Sequence, residues 1–358
     1  MQLRHFESFQ PICPRCKKDR AQDHVLALQV YTGDKKWVEE GQLFCPSCRT
    51  VYPIICGIPI LVPEPQEYIQ KSLLHMVWNE NLSPFSSQWL SEAAGPGSNF
   101  ELTKQYLSTY CWCHYHDLHP DSEDTETSGL VEILQKMRQE RLFDGLQIDI
   151  GCSVGRGTFD LAHTTQNLSL GVDVNFSMLR IAQKIQRTQR ISYDLRKVGT
   201  IYKRQSYDLS LPSADLVDFW VADALNLPFA NQSMLRCNSA NVLDCVANPA
   251  DHLRELSRIQ NPLGYFSLVT PYDWSVNATA YDNWIGGHTA MGSFKGSAEK
   301  TVLWYLSSES PFPDLKDIEI IQQIPELSWR LRIHNRSTMH YKIHLIIARR
   351  THGLPSPC

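Results

Sequence analysis

The sequence predicts an α/β protein: a largely parallel sheet with helices on both faces, preceded by a small β domain held together by cysteines. Two observations support this prediction. From residue 146 onward, apolar runs of strand length alternate with helix-like segments, an order that produces parallel sheets covered by helices. In addition, two Cys-x2-Cys pairs stand within the first 48 residues.

Composition limits the classes of function. The chain has 358 residues, of which 42% are hydrophobic, enough for one large domain with a sizeable core plus a smaller unit. A net charge of −4 gives no overall basic field of the kind that binds nucleic acid non-specifically. No apolar run approaches the roughly 20 residues of a membrane span, and the first residues lack a signal-peptide core. We therefore expect a cytoplasmic protein without a membrane partner, in which the eleven cysteines bind metal or stay reduced.

Three regions are expected. Residues 1–64 contain short strands interrupted by Cys-Pro steps and end at a proline-rich boundary, which is typical of a small separate domain. Residues 65–128 show helical spacing and then an acidic stretch at 117–128, so we interpret them as a helical connector or lid. Residues 129–352 form the alternating α/β region.

Within the α/β region, apolar spacing predicts each element in turn. Amphipathic periodicity indicates helices, and short apolar runs indicate buried strands. The predicted elements are a helix at 130–137, strands at 146–150 and 168–172, a helix at 176–186, a strand at 216–221, a helix at 250–259 and a strand at 265–269.

A glycine-rich turn follows the first of these strands. Residues 149–158 read Asp-Ile-Gly-Cys-Ser-Val-Gly-Arg-Gly-Thr and lead into a helix. Glycines at such a turn allow a ligand to approach the backbone closely. The spacing is Gly-x3-Gly-x-Gly and not the Gly-x-Gly-x2-Gly of dinucleotide-binding proteins, so a pyrophosphate-containing cofactor is disfavoured.

Two further carboxylates follow later strands. Asp173 ends the second strand about twenty residues after the turn, where a carboxylate can accept hydrogen bonds from ribose hydroxyls. Asp223 follows the third strand, where it could accept from an adenine amino group while the backbone N–H of Ala224 donates to the ring. In this order and spacing, the carboxylates favour a nucleoside-containing cofactor.

These segments resemble the cofactor motifs of class I S-adenosylmethionine-dependent methyltransferases. The resemblance implies a Rossmann-like sheet and S-adenosylmethionine as the cofactor. It departs at Ser153, where the family often has another glycine. The residues implied to bind the cofactor are Asp149, Gly151, Ser153, Gly155, Gly157, Asp173, Asp223, Ala224 and Asn241.

Residues from about 146 to 350 are also similar to the C-terminal methyltransferase domain of ovothiol synthase, which methylates the imidazole ring of a mercapto-histidine. The shared segments are 149–162, Asn-Val-Leu-Asp at 241–244, and Pro-Tyr-Asp-Trp at 271–274 followed by Trp-Ile-Gly-Gly at 284–287. The sulfoxide synthase half of that family is absent here. The resemblance implies N-methylation of an imidazole or histidine-type small molecule or peptide.

Four candidate catalytic residues follow from this comparison: Asn241, Asp244, Tyr272 and Asp273. They stand after the fourth and fifth strands, at the sheet edge where this fold places its acceptor. A carboxylate or tyrosine there could hold the proton on one imidazole nitrogen while the other nitrogen accepts the methyl group. His288, just after Gly287, is the histidine closest in sequence to this loop.

The paired cysteines predict a zinc-ribbon-like domain at residues 1–64. Cys13 and Cys16 are separated from Cys45 and Cys48 by 28 residues, a spacing at which two turns supply four thiolates to tetrahedral zinc. Zinc would stabilise a unit too small to hold a core by itself. Residues 52–61 resemble the small activator subunit shared by several translation-related methyltransferases, which implies a structural role for this domain.

Two other functions remain open at this stage. The chain could be an RNA or ribosomal methyltransferase that uses the zinc ribbon for recognition, although residues 1–60 hold eight basic and six acidic groups and are nearly balanced. It could also be a non-catalytic cofactor-binding scaffold whose ribbon docks a protein partner, the identity of which the sequence does not give.

Two further local features contribute less to the prediction of function. Residues 111–116, Cys-Trp-Cys-His-Tyr-His, fit packing better than a metal site, because adjacent ligands rarely close a tetrahedron alone. The basic insertion at 184–204 could border the substrate cleft.

Overall fold

The protein is described by a computed structural model covering residues 1–79, 81–120, 126–138, 144–291 and 293–351. Parts of the predicted acidic stretch and the last residue of the predicted α/β region lie outside these ranges. The strands are β1 Ala27–Gly33, β2 Val38–Phe44, β3 Val51–Ile55, β4 Ile58–Leu61, β5 Gln147–Ile150, β6 Ser169–Asp173, β7 Arg190–Val198, β8 Ile201–Asp208, β9 Val217–Ala222, β10 Met234–Ala240, β11 Gln260–Thr270, β12 Ile318–His334 and β13 Ser337–Arg350. The helices are α1 Leu3–Phe9, α2 Pro14–Arg20, α3 Pro65–Lys71, α4 Leu73–Met76, α5 Pro84–Ala94, α6 Asn99–Tyr115, α7 Leu130–Met137, α8 Arg156–Thr165, α9 Phe176–Thr188, α10 Pro249–Ile259 and α11 Ala298–Tyr305.

The centre of the molecule is a Rossmann-like sheet of order β9-β6-β5-β10-β11-β13-β12. The first five of these strands pair in parallel, and β13 is antiparallel to both β11 and β12. The predicted α/β fold is thereby confirmed. The chain order reverses direction between β5 and β10, so the loops that follow these strands diverge and leave a crevice at their carboxyl ends.

Most predicted elements differ from the structure only at their ends. The helix expected at 130–137 matches α7, and the strand expected at 265–269 is the inner part of the longer β11. The basic insertion at 184–204 forms the end of α9 and most of a β7–β8 hairpin, a two-stranded sheet of its own. Its alternation of charged and apolar residues is the strand signal in that segment.

The N-terminal strands extend the central sheet. β4 pairs in parallel with β9, with Ile60 opposite Val221 and Leu61 opposite Ala222, and all four side chains are buried. The result is one sheet of eleven strands, in which β1 to β4 continue past β9. Pairing in this way covers the edge of β9, which would otherwise expose unpaired backbone groups.

A buried carboxylate fixes this junction. Asp218 of β9 is fully buried and accepts hydrogen bonds from three N–H donors. The backbone N–H of Gln2 lies 2.7 Å from it, the indole Nε1 of Trp220 2.9 Å, and the backbone N–H of Phe219 3.0 Å. These hydrogen bonds compensate for the loss of solvation of the buried carboxyl group.

The region predicted as a connector contains α3 to α6. The longest of these, α6, packs against β7 and β12. Trp112 is fully buried beneath the guanidinium of Arg332, which lies 4.6 Å from the indole centroid, and the Trp329 Nε1 donates to Cys113 Sγ at 3.0 Å. Residues 111–115 therefore pack in the core. Among the described helices, none is both long and apolar enough to cross a membrane.

Replacing Asp218 with alanine should lower the free energy of unfolding by about 2–4 kcal/mol, because three buried donors lose their acceptor. Denaturant titration measures this. Asp215→Ala, three residues away, is the matched control: its side chain is 79% exposed and its ion pair with Arg4 spans 3.6 Å, so its effect should stay within about 0.5 kcal/mol. Equal effects of the two substitutions would contradict this account of the junction.

Candidate active site and metal centre

A cavity of about 450 Å³ opens at the carboxyl ends of β5, β6, β9 and β10. Its volume lies in the range of small-molecule sites, and its wall is mainly apolar. Most residues that the sequence assigned to the cofactor line it. These are Asp149, Gly151, Ser153, Gly157, Asp173, Asp223, Ala224 and Asn241.

The turn after β5 depends on left-handed backbone conformations. Gly151, Ser153 and Gly155 have φ values of 70°, 52° and 91°. A Cβ on Gly155 would lie 2.8 Å from the ring of Phe219, which explains why this glycine is needed although it does not line the cavity. Ser153 adopts the left-handed conformation that a glycine would adopt more easily, and we expect this to cost about 1 kcal/mol of conformational free energy.

Asp149 lies at the base of the cavity. Its Oδ2 accepts from the Thr158 hydroxyl at 2.8 Å, and a Cβ on Gly157 would lie 2.8 Å from the same oxygen. Glycine at 157 therefore leaves room beside the carboxyl group. Burial raises the pKa of Asp149 to about 7, and the nearby charge of Asp173 acts in the same direction.

Asp173 and Asp223 are oriented by backbone N–H groups. Asp173 accepts from Asn175 at 2.8 Å and from Ser153 at 2.9 Å, and burial raises its pKa. The Oδ1 of Asp223 accepts from the N–H of Leu225 at 2.9 Å. A carboxylate oxygen has two lone-pair directions, so each group retains capacity to accept from a bound hydroxyl or amine.

One wall of the cavity, from helix α6, was missed by the sequence analysis. Tyr106, Tyr110 and His114 line it, spaced four residues apart on one helical face. This spacing was the available signal. Burial lowers the pKa of His114 to about 3, and the Arg156 guanidinium acts in the same direction, so the imidazole is neutral.

Other unpredicted residues complete the wall, because the chain returns to the cavity from distant segments. α7, α9 and β12 contribute apolar and aromatic side chains, and the loop after β10 contributes a thiol. These residues include Leu130, Leu134, Met137, Met178, Cys245 and Trp329.

The four candidate catalytic residues divide into two groups. Asn241 lines the cavity, whereas Asp244, Tyr272 and Asp273 do not. The latter three form an adjoining cluster in which Asp244 Oδ2 accepts from the N–H of Asp273 at 2.9 Å. The Tyr341 hydroxyl donates to Asp273 Oδ2 at 2.9 Å.

Two buried atoms of this cluster have no hydrogen-bond partner among the described residues. Asp244 is 1% exposed, and its Oδ1 is one of them. Burial raises the pKa of Asp244 to about 6, although backbone N–H donors oppose that shift. The second is Nε2 of His344, whose Nδ1 lies 2.8 Å from the Tyr272 hydroxyl.

The tryptophans of the second resemblance pack together. Trp274 and Trp284 are stacked with ring centroids 6.2 Å apart, and Gly287 has φ of 79° beside the Trp274 indole. His288 follows this glycine but does not line the cavity. The loop therefore packs beside Asp244 and Tyr272.

The four paired cysteines converge at the start of α2. Their sulfur atoms lie within 4.8 Å of one another, with Cys13 and Cys48 3.5 Å apart and Cys16 and Cys45 3.7 Å apart. A zinc ion with bonds of about 2.3 Å to a tetrahedron of thiolates requires sulfur atoms about 3.8 Å apart. The cluster therefore fits structural zinc.

This cluster is linked to the cavity through α2. The Asn226 amide donates to the carbonyl of Pro14 at 2.8 Å, and Lys17 Nζ donates to Asn226 Oδ1 at 2.9 Å. Lys17 also pairs with Glu255 at 2.7 Å. Since Asn226 follows the cavity residues Asp223 and Ala224, the cysteine-bearing helix supports the loop on that side of the cavity.

One protein family matches part of this chain in sequence. Residues 148–268 match the family described as Methyltransferase domain. No curated protein matches the chain significantly.

Several solved structures are similar. A methyltransferase structure from Methanosarcina mazei shares 20% identity and a TM-score of 0.38, covering 61% of this chain and 96% of its own. A chain from the complex of the Haloferax volcanii Trm112 methyltransferase activator with a methyltransferase shares 17% identity and a TM-score of 0.39, covering 68% and 97%. The YcgJ protein of Bacillus subtilis shares 14% identity and a TM-score of 0.38, covering 63% and 99%.

The chain thus contains a methyltransferase domain that includes residues 148–268, which supports the predicted S-adenosylmethionine-dependent methyltransferase activity. The predictions of an enzyme and of this cofactor are confirmed. The non-catalytic scaffold loses its support. The prediction of a metal-binding cysteine group compatible with structural zinc is also confirmed.

Replacing Cys16 with serine should reduce bound zinc below one ion per chain and lower the free energy of unfolding by roughly 3 kcal/mol or more, since metal binding contributes to folding. Zinc release on denaturation and thermal unfolding measure the two effects. Cys56→Ser is the control, because Cys56 is exposed and outside the cluster. A zinc-free wild-type protein that unfolds at the same temperature as the loaded form would refute a structural role for the metal.

Proposed function

We propose that this enzyme transfers the methyl group of S-adenosylmethionine to a ring nitrogen of an imidazole or histidine-type acceptor, either a small molecule or a peptide. The observation that supports this most directly is the Asp244 and Asp273 pair at the carboxyl ends of β10 and β11. Two carboxyl groups beside the acceptor end of the cavity favour an acceptor that presents an N–H, and they disfavour an anionic one.

The cofactor would be held by the residues that line the inner cavity. In the proposal, Asp149 and the turn with Gly151, Ser153 and Gly157 hold the methionine part of the cofactor, with Gly155 shaping the turn. Asp173 accepts from the ribose hydroxyls. Asp223 and the N–H of Ala224 bind the adenine. Asn241 borders both the cofactor and the acceptor.

The α6 wall suits a cationic cofactor. Aromatic faces attract a positive charge, and a neutral His114 adds none of its own. In the proposal, α6 covers the sulfonium centre and excludes water, which would otherwise weaken the electrostatic interactions inside the site. The regions 65–128 and 129–352 are then the lid and the catalytic domain, and residues 1–64 are a zinc-dependent support.

The reaction itself requires mainly positioning. A neutral imidazole nitrogen attacks the methyl carbon in line with the carbon–sulfur bond, and the bonding pair leaves with sulfur as neutral S-adenosylhomocysteine. The ring becomes cationic and then releases the proton of its other nitrogen. We assign the uptake of that proton to Asp244, which lies behind the cavity wall formed by Asn241 and whose Oδ1 has no partner among the described residues. Tyr341, through Asp273, and Tyr272 would hold this cluster in place.

Acceptor identity is tested by S-adenosylhomocysteine formation with histidine, histidine-containing dipeptides and peptides, followed by mapping of the added methyl group. Methylation of a ring nitrogen is expected. RNA fragments form the comparison arm, because an RNA methyltransferase was the alternative function. Product from RNA alone would overturn the proposal.

Asp244→Asn should lower kcat by about 100-fold, the usual size of one acid–base contribution, with little change in cofactor affinity. Steady-state kinetics and calorimetry measure the two quantities. The control is Asp251→Asn on α10, a carboxylate on the protein surface, which should leave both unchanged. Equal kcat values for the two variants would remove Asp244 from the mechanism.

The affinity for S-adenosylmethionine should rise about fivefold between pH 6 and pH 7, because Asp149, with a pKa of about 7, ionises over this interval and the cofactor is a cation. Calorimetry at several pH values measures the rise. Thr158→Val should move it to higher pH, since the lost hydroxyl favours the ionised carboxylate. Asp149→Asn should abolish it, and a rise that persists in this variant would show that another group is responsible.

A further inference from the structure

The β12–β13 hairpin projects beyond the sheet. β13 pairs with β11 only up to the position where His344 lies opposite Thr270, the last residue of β11. Residues 337–343 and the paired part of β12 therefore extend past the carboxyl edge, by roughly 23 Å for seven residues of strand. Trp329, on this projecting part, lines the cavity. The hairpin thus stands over the edge to which the proposed function assigns methyl transfer.

A second hairpin meets the first. The backbone N–H of Asn335, at the β12–β13 turn, donates to the carbonyl of Lys197 at the β7–β8 turn, at 3.2 Å. β7 and β12 also contact each other. We call residues 196–203 and 330–342 together the basic tip.

The basic tip has a charge opposite to that of the whole protein. It contains seven lysines and arginines and no aspartate or glutamate, whereas the chain has a net charge of −4. Two histidines add further positive charge when protonated. The seven cations are Arg196, Lys197, Lys203, Arg330, Arg332, Arg336 and Lys342.

Most of these cations have no acidic partner in the part of the chain that the structure describes. Arg332 pairs with Glu126 at 2.7 Å and Lys342 with Glu326 at 2.8 Å. The remaining five form no ion pair with any residue that the structure describes. Among them, Lys203 and Arg336 are exposed to solvent. A cluster of uncompensated cations is costly unless an anion approaches it, so the tip is suited to bind one.

The apolar residues of the tip indicate which anion. Val198, Ile201 and Met339 are 53%, 49% and 41% exposed, and all three are aliphatic. The tip's aromatic rings are engaged elsewhere: the hydroxyl of Tyr202 donates to Glu101, and that of Tyr341 donates to Asp273. Single-stranded RNA is bound through exposed aromatic rings that stack on its bases. Aliphatic side chains among cations fit an acidic polypeptide instead.

We propose that the basic tip docks an acidic segment of a polypeptide acceptor and delivers a neighbouring histidine to the cavity. This inference rests on the proposed function for the point of methyl transfer. The charges of such an acceptor and of the protein are complementary, because acidic flanks would meet the tip while the imidazole enters the cavity beside the cluster of Asp244 and Asp273. The acceptor is thereby narrowed from any histidine-type compound to a histidine near acidic residues.

The test measures binding of fluorescein-labelled octaglutamate to the full-length zinc-loaded protein saturated with S-adenosylhomocysteine, by fluorescence anisotropy in 50 and 300 mM salt. Labelled octauridylate is the second probe. Octaglutamate should bind more tightly than octauridylate, with an affinity that falls as salt rises. Tighter binding of octauridylate, or no binding of octaglutamate at low salt, would overturn the inference.

Lys197→Glu combined with Arg336→Glu should weaken octaglutamate binding about tenfold or more. The matched control is Lys35→Glu with Lys36→Glu, the same change of charge at exposed positions between β1 and β2, at the opposite end of the sheet. Affinity for S-adenosylhomocysteine verifies folding, and Lys203→Gln with Arg336→Gln provides a milder second variant. Equal loss in tip and control variants would show a non-specific charge effect and overturn the docking site.

Octaglutamate contains no methyl acceptor, so its binding is independent of imidazole chemistry. If small histidine compounds are methylated but octaglutamate does not bind, only the docking inference fails. If octaglutamate binds at the tip and no histidine is methylated in any compound or peptide, the proposed function fails and the anion-binding surface remains.

Discussion

Strand β9 joins the N-terminal strands β1 to β4 to the central sheet. Its edge is paired in parallel with β4, its other side with β6, and its buried Asp218 accepts from donors on both partners of the junction. Backbone pairing of this kind is satisfied only in one register, because a shift by one residue would turn Ile60 and Val221 away from the core. The position of the cysteine-rich strands relative to the cavity follows from that register.

The same strand order decides which polar groups line the cavity. Because β5, β6 and β9 lie side by side in parallel, the carboxylates that follow them meet at one edge, which brings Asp149, Asp173 and Asp223 to a common wall. Burial then raises the pKa of the first two, so the site contains carboxyl groups that a cationic ligand would help to ionise. The support that Asn226 receives from Pro14 connects this edge to the cysteine cluster. A cysteine cluster that is distant in sequence is therefore adjacent to the loop that contains Asp223 and Ala224.

On the proposed acceptor side, carboxyl groups and cations lie at different distances from the sheet edge. Carboxyl groups lie close to the sheet edge at Asp244 and Asp273, and the basic tip, most of whose cations form no ion pair with a described residue, projects above it. In the proposal, this separation would let an extended acidic chain reach the cations without meeting the carboxylates. Strand β12 also supplies Trp329 to the cavity wall, so in the proposal acceptor docking and cofactor enclosure share this strand.

The sequence by itself determined the features that depend on near neighbours. The turn from 149 to 158, the acidic residues that end strands and the two Cys-x2-Cys pairs are local patterns, and local patterns fix backbone conformation and ligand type. It did not determine that β4 joins β9, that Tyr110 and His114 form a wall of the cavity, that Asp244 lies behind the wall while Asn241 is on it, or that Lys197 meets Asn335. Each of these depends on contacts between segments far apart in the chain, where many pairings satisfy the same hydrophobic pattern and only packing of the whole core selects one.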